Sequence, residues 1–303
     1  MQKPIYQELS PQQIHSAQQM SHELWSGGST LEERVARLES YSRDYPGMLR
    51  SVGLISASGE VLTSSKLYSC QIMMDGAPLS LVGIGAVFTD PDQRRKGLAA
   101  QMIELCLAEA QQSGLRGALL WSDIGSEYYE RFGFVRLPLV RHRYDITNAA
   151  AKNQSRPAQN EDRNKMIDLY RRKLERLTMA SIRKGTAWDF YRRLNGAKDY
   201  IVETPNGQFC GFFSASVYRD YLWVDEAFAE MDCAAKVWAQ ISRLAKQSGV
   251  KMIQSWNQPF DLLPMPELMQ QVQKPIPMIR LFDDSVPVQL SPSNCFFGSL
   301  DHF

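Results

Sequence analysis

The segment Leu79–Thr89, LSLVGIGAVFT, is an almost unbroken apolar run, the pattern of a central strand buried on both faces. It passes through Asp90-Pro91-Asp92 into Arg94, Arg95, Lys96 and Gly97, and then into the helix-patterned LAAQMIELCLAEAQQS, which Gly114 ends as a C′ residue. A strand that turns on a glycine and opens a helix leaves several backbone N–H groups unpaired and pointing one way. The helix dipole adds partial positive charge there. Gly97 has no Cβ to block close approach, Ala99 and Ala100 keep the first turn thin, and the cations add formal charge. This is the chemistry of a phosphate or pyrophosphate site. The spacing fits neither the G-x-x-x-x-G-K-[ST] loop nor the three-glycine dinucleotide turn.

Such a site has to be local, because the whole chain of 303 residues carries a formal charge of only +1. That balance gives no general drive toward nucleic acid or an anionic membrane. The N-terminus has no apolar leader pattern and no apolar run reaches spanning length. Five scattered cysteines without C-x-x-C spacing, and four histidines without ligand spacing, predict reduced thiols, no metal and a cytoplasmic setting.

At this length two domains are expected, here residues 1–148 and 161–303 joined by a polar linker at 149–160. Ser10 with Pro11, and Thr30 with Glu33, predict two N-capped helices after a short first strand. Three strands follow, then the helix after Gly97, the strand GALLWS, a short helix through Tyr129 and a last strand. The order is βααβββαβαβ, an α/β (α+β) class with helices flanking a sheet. The second half repeats ααβββαβ, which suggests a diverged copy of the first fold. The tail from Pro259 is expected to be irregular.

Arg94, Gly97 and Ala99 fill R-x-x-G-x-A after a strand ending VFTDP. The pattern resembles the coenzyme A pyrophosphate loop of the GCN5-related N-acetyltransferases (GNAT). The resemblance covers residues 50–140, and residues 1–50 by element order. It implies a mixed central sheet and acetyl-CoA as acyl donor. It implies contacts from the loop Arg94, Arg95, Lys96, Gly97, Leu98, Ala99 and Ala100, and from the strand Ala86, Val87, Phe88 and Thr89. Downstream, SDIGSEYYERFGF resembles the family's N-x-x-A-x-x-x-Y-x-x-x-G-F. Tyr129, Gly133 and Phe134 match. Ser122 stands at the Asn position, with a shorter reach to a pantetheine amide, and Gly125 at the Ala position.

Tyr129 has a chemical reason to be there. Attack of an amine on a thioester expels a thiolate, and a phenol with pKa near about 10 is neutral and able to donate a proton to it. Gly83 and Gly85 are expected to leave room for substrate. The base stays open among Asp123, Glu127, the Phe303 carboxylate and water. The tandem layout is similar to the enhanced-intracellular-survival acetyltransferases, which implies that the terminal carboxylate reaches the site; the simpler expectation packs the tail on the second domain. A weaker likeness of WSDIGSEYYERFGF to fungal lysine N6-acetyltransferases implies a free amino acid or another small amine.

In the second half the equivalent position reads EAFAEMDCAAKVW, with acids instead of cations and no glycine. A pyrophosphate would be repelled there, so this half is expected to wall the acceptor site or mediate dimerisation. The reading is an N-acetyltransferase for a small-molecule or peptide amine, with a non-catalytic acetyl-CoA sensor as the alternative.

Overall fold

Apolar alternation and capping divide the chain into segments that the computed structural model shows as helices and strands. It describes residues 3–138, 140–146, 154–256, 268–271, 275–282, 290–291 and 294–303. In chain order the first elements are β1 (Ile5–Glu8), α1 (Pro11–Met20), α2 (His22–Trp25), α3 (Leu31–Asp44), β2 (Leu49–Ile55), β3 (Val61–Met74) and β4 (Ala77–Thr89). Then come α4 (Leu98–Gln112), β5 (Gly117–Ser122), α5 (Glu127–Glu130), β6 (Val135–Arg136), β7 (Val140–Tyr144) and β8 (Gln154–Pro157). α6 (Arg163–Leu174), β9 (Met179–Ser181), α7 (Thr186–Asn195), β10 (Asp199–Glu203), β11 (Phe209–Val217) and β12 (Tyr221–Ala229) follow. The last are α8 (Ala234–Gln247), β13 (Met252–Trp256), β14 (Leu268–Gln271), β15 (Ile276–Leu281) and β16 (Cys295–Phe296). Both predicted capping boxes form. Ser10 Oγ accepts from the Gln13 amide while Gln13 Oε1 accepts from the Ser10 amide, and Thr30 and Glu33 do the same.

Two mixed sheets share one plan. The first runs β1-β2-β3-β4-β5-β15-β6 and the second β8-β10-β11-β12-β13-β7-β14. In each, an antiparallel meander leads through a helix, α4 or α8, to a strand parallel to the meander's last member. Each then accepts an antiparallel strand from the other half of the chain. β15 pairs with β5 in the first sheet, and β7 pairs with β13 in the second. The sheets therefore do not part at residue 148. Covering the open edges of β5 and β13 is the physical reason, because an unpaired edge leaves a row of backbone groups without partners.

Two other expectations are corrected. Residues 149–153 of the proposed linker lie outside the described residues, but 154–157 are β8, paired with β10 and held by Arg156, which bridges Asp162 at 2.6 Å and Glu203 at 2.9 Å. Of the tail, 259–267 lie outside the described residues, yet β14, β15 and β16 are regular strands. Among the described residues no helix is long and apolar enough to cross a membrane. All five cysteines are buried and unpaired.

Three cores result. One lies between the first sheet and α4, around Ile84, Met102 and Leu120. One lies between the second sheet and α6 and α8, around Phe212, Phe228 and Ile241. The third joins the halves: Phe190 and Tyr191 of α7 pack on Tyr41, Tyr68 and Cys70, with Trp223, Trp256 and Phe297. Beneath it, buried Glu226 on β12 accepts from both Arg183 and Arg192. Burial alone would raise the Glu226 pKa, but the two guanidiniums hold it below its ordinary value.

Removing Glu226 strands two arginines in the interior. Glu226→Ala is expected to lower the unfolding free energy by about 3–5 kcal/mol, read from a urea titration with the slope unchanged.

Candidate active site

The site begins with a fault in the β3–β4 ladder. Gly85 pairs with Lys66 and Phe88 with Ser64, so Ala86 and Val87 together face Ser65, which is a bulge. Ala86 takes φ 49°, unusual for a residue with a side chain. Hydroxyls fix the bulged strand: Ser65 Oγ donates to the Gly85 carbonyl at 3.1 Å and Thr63 Oγ1 to the Phe88 carbonyl at 2.7 Å. On the other side β4 pairs with β5 only from Leu81/Gly117 to Ile84/Leu120. Past that point the two parallel strands diverge, and a cavity of about 600 Å³ opens between them.

One wall is the bulged strand, Gly85 to Thr89, continued by Arg94, Arg95 and Gly97–Ala100. Gly97 is the N-cap of α4 at φ 78°, no side chain caps this helix, and a Cβ there would meet nothing within 4 Å. The first-turn amides of α4 and the helix dipole therefore face open space beside two guanidinium groups. Arg94 is held over the Phe88 ring, 5.6 Å from its centroid. The opposite wall carries Trp121, Asp123, Ile124, Tyr128, Tyr129 and Arg131. Burial, then Tyr128 and Asp123, push the Tyr129 phenol up to about 12, so it is neutral and able to donate at physiological pH. Its ring is fixed edge-on by Tyr128 at 5.1 Å and Phe134 at 6.1 Å.

Two expected site residues do not reach the cavity wall. Ser122 is buried and its hydroxyl donates to the Gly125 carbonyl at 2.6 Å, closing the turn before α5. Lys96 donates to Gln93 Oε1 at 2.8 Å, and it is Gln93 that lines the cavity. Asp123 lines the cavity, whereas Glu127 folds over Gly125. Leu24 and Trp25 of α2, which pattern alone did not single out, close the cavity over Phe88. The available signal was a tryptophan ahead of Gly27-Gly28 at the end of an otherwise polar helix.

The chain's last residues are the larger surprise. The tail was expected on the second domain, and Ser299 does reach Asp225 and Trp223 there. The Asp301 carbonyl, however, accepts a hydrogen bond from Trp121 Nε1 of the other half at 2.9 Å. His302 packs on Trp121, and burial lowers its imidazole pKa against the opposing pull of Asp123. Phe303 stacks on Tyr68 with ring centroids 4.5 Å apart. Gly83 was expected to leave room for substrate, but a Cβ there would lie 2.5 Å from the Phe303 ring and 2.8 Å from Cys70 Sγ. Gly85, next along, is 3.0 Å from the Phe303 main-chain oxygen by the same measure, and so forms both a cavity wall and the seat of the tail.

Residues 11–136 match the family model described as "Acetyltransferase (GNAT) domain". This segment is a GNAT acetyltransferase domain. The whole chain is similar in fold to a probable N-acyltransferase of Enterococcus faecalis V583, with TM-score 0.72, 15% identity, and 92% of this chain and 73% of that one covered. It is similar, too, to a tandem GNAT protein from the clavulanic acid biosynthesis pathway, with TM-score 0.55, 11% identity, and 94% and 100% covered. In sequence it matches a lysine acetyltransferase of Yarrowia lipolytica at 26% identity over 175 residues, 48% of this chain and 43% of that protein. The match thus spans less than half of that relative. The GNAT domain carries the bulged strand, the uncapped helix and Tyr129. Among its described residues, and those of the rest of the chain, no group of three or more His, Cys, Asp or Glu gathers to hold a metal.

Gly83→Val is expected to cost about 1–3 kcal/mol by overpacking, seen as a lower thermal midpoint. Adding Phe303→Ala should return much of that loss, because the two changes act on one contact.

Proposed function

We propose that this GNAT domain transfers the acetyl group of acetyl-CoA to a primary amine of a small molecule, with Tyr129 as the proton donor to the departing sulfur. The observation that carries the reading is the meeting, in one cavity, of three things: a strand edge released by the bulge at Ala86, the uncapped N-terminus of α4 at Gly97, and a neutral tyrosine on the facing wall.

The residues present suit acetyl-CoA, which supplies the acetyl group as an activated thioester. The α4 amides with Arg94 and Arg95 would take the pyrophosphate, and the free edge of Gly85–Thr89 would pair with the pantetheine arm as a strand does. Backbone N–H groups of that edge would polarise the thioester carbonyl. Tyr129 holds a proton opposite that edge. The acceptor enters as its neutral amine. Ser122 takes no part in the binding, since its hydroxyl is committed to Gly125. The second half is read as structural: β12 leaves β13 after Val224, and the residue that follows, Asp225, bonds to the tail through Ser299 at 2.6 Å.

Two variants test separate parts. Tyr129→Phe should lower kcat about a hundredfold or more while coenzyme affinity holds within about twofold. The loss should be the same from neutral to mildly alkaline pH, since a phenol raised to about 12 keeps its proton throughout. Wild-type turnover in the variant would remove Tyr129 from the mechanism. Gly97→Glu places a side chain at φ 78° and a carboxylate at the anion site. Calorimetry with coenzyme A should then give no measurable binding, and unchanged affinity would sink the loop assignment.

A further inference from the structure

Cations also gather on the other face of the sheet, away from the pyrophosphate loop. Lys66 on β3 stands opposite Gly85 and on the same side as Tyr68, two residues on, which faces α3 and the tail. Arg34 of α3, only 5% exposed, and Arg37, one turn along, converge on it, with Gln18 of α1. The group walls a recess of about 190 Å³ together with Tyr41 and Tyr68. A separate void of only about 10 Å³, walled in part by Gln18, Arg34 and Lys66, lies between them and Trp25 and Ala86, which also line the main cavity. Arg34 and Lys66 thus border both the recess and the void beside the bulge where the thioester would lie.

These charges form no ion pair among the described residues, although the Phe303 main-chain oxygen lies on the same face, 3.0 Å from a Cβ built on Gly85. Among the described residues, none of the ion pairs involves Arg34, Arg37 or Lys66, whereas the other buried arginines, Arg183 and Arg192, are each paired with Glu226. The partners of Arg34 are neutral: Gln18 O at 3.3 Å, Gln18 Oε1 at 2.9 Å and His22 Nδ1 at 3.4 Å. Burial, reinforced by Arg34 and Arg37, pulls the Lys66 pKa down to about 8. An ammonium held beside two guanidiniums in a recess is costly unless an anion joins it. The chain's net charge of +1 does not explain the cluster as general basicity.

We propose that Lys66, with Arg34 and Arg37, binds a carboxylate of the acceptor, so that the substrate is an amino acid or a similar small amine bearing a carboxylate. Polyamines and aminoglycosides, which bring only positive charge, are disfavoured by the same residues. Lys66 lies directly across the ladder from Gly85, so the carboxylate and the reacting amine belong to one small molecule.

This rests on the acetyltransferase reading, and the test separates the two. Full-length protein is assayed by thiol release from acetyl-CoA with lysine, lysinamide and 1,5-diaminopentane, and with matched sets for other amino acids. The best carboxylated acceptor should exceed its amide and its decarboxylated amine in kcat/KM by about tenfold or more, the scale of one charge-assisted contact. Lys66→Met, which keeps the aliphatic stem, should collapse that ratio toward one, and Lys66→Arg should preserve it. Equal or better turnover of the uncharged or polycationic amines by wild type, or an equal fall for all acceptors in Lys66→Met, overturns the anion site and leaves the acetyltransferase reading standing. Failure of every amine to react counts against that reading. Calorimetry on the coenzyme A-loaded protein then decides the anion site by itself: tighter binding of an N-acetylated amino acid than of its amide supports it, and equal binding overturns it.

Discussion

The buried ion cluster around Glu226 is the constraint on which the arrangement of the two halves depends. Glu226 is fully buried on β12 and takes hydrogen bonds from Arg183 and Arg192, while Arg183 Nε also reaches Asp301 Oδ1 at 3.3 Å. Ions in such a place are tolerated only when geometry and further hydrogen bonds satisfy them. Asp301 is held again by Ser181 Oγ at 2.7 Å and by the Gly298 amide at 2.9 Å, and Arg192 lies over the Trp188 ring, 3.4 Å from its centroid. The carboxylate of Asp301 therefore fixes one end of a tail segment to the second half. Its carbonyl, accepting from Trp121, fixes the same residue to the first. His302 and Phe303 have little freedom left, and they come to rest against Trp121, Tyr68 and Gly83.

The exchange of strands makes the same point on a larger scale. Neither sheet is complete without a strand from the other half, because β15 covers β5 and β7 covers β13. Local pattern could show that Ile276–Leu281 is apolar, but not which edge it would find. The tail's prolines suggest an irregular segment, yet within β15 the missing N–H of Pro277 does no harm: its carbonyl accepts from the Leu137 amide at 2.8 Å. Partnering over more than a hundred residues of sequence carries no local signature, which is why the exchange of strands and the regular strands of the tail do not show in the sequence, while the element order βββαβ shows in both halves.

The site divides along the same line. That Arg94, Gly97, Ala99 and Tyr129 line one cavity was legible because each is positioned by its own turn or helix: a left-handed glycine before a helix, cations in that turn, and a tyrosine four residues before Gly133. Ser122 was misplaced for a local reason that spacing does not reveal. Its hydroxyl is short enough to reach back to Gly125, and a closed turn satisfies it better than an open cavity would. Trp25 and Lys66 were out of reach because they come to the two cavities through the packing of α2 and the β3–β4 register, whereas the Phe303 carboxylate was among the candidates and only its seat against Tyr68 and Gly83 was hidden.

The bulge at Ala86 is where these contributions meet, and it has chemical consequences on both faces of the sheet. On one side it turns the β4 edge away from β5 and frees the backbone groups of Gly85–Thr89. On the other it leaves Lys66 opposite Gly85, at the wall of the cationic recess. A regular ladder would keep β4 against β5 and close the cavity, and a one-residue slip would turn Lys66 toward the α4 core, where Leu67 and Ile84 now pack. One extra residue in one strand thus sets both the opening of the main cavity and the place of the cations on the other face. The strain at Ala86 is sustained because Ser65 and Thr63 hold the carbonyls on either side of it.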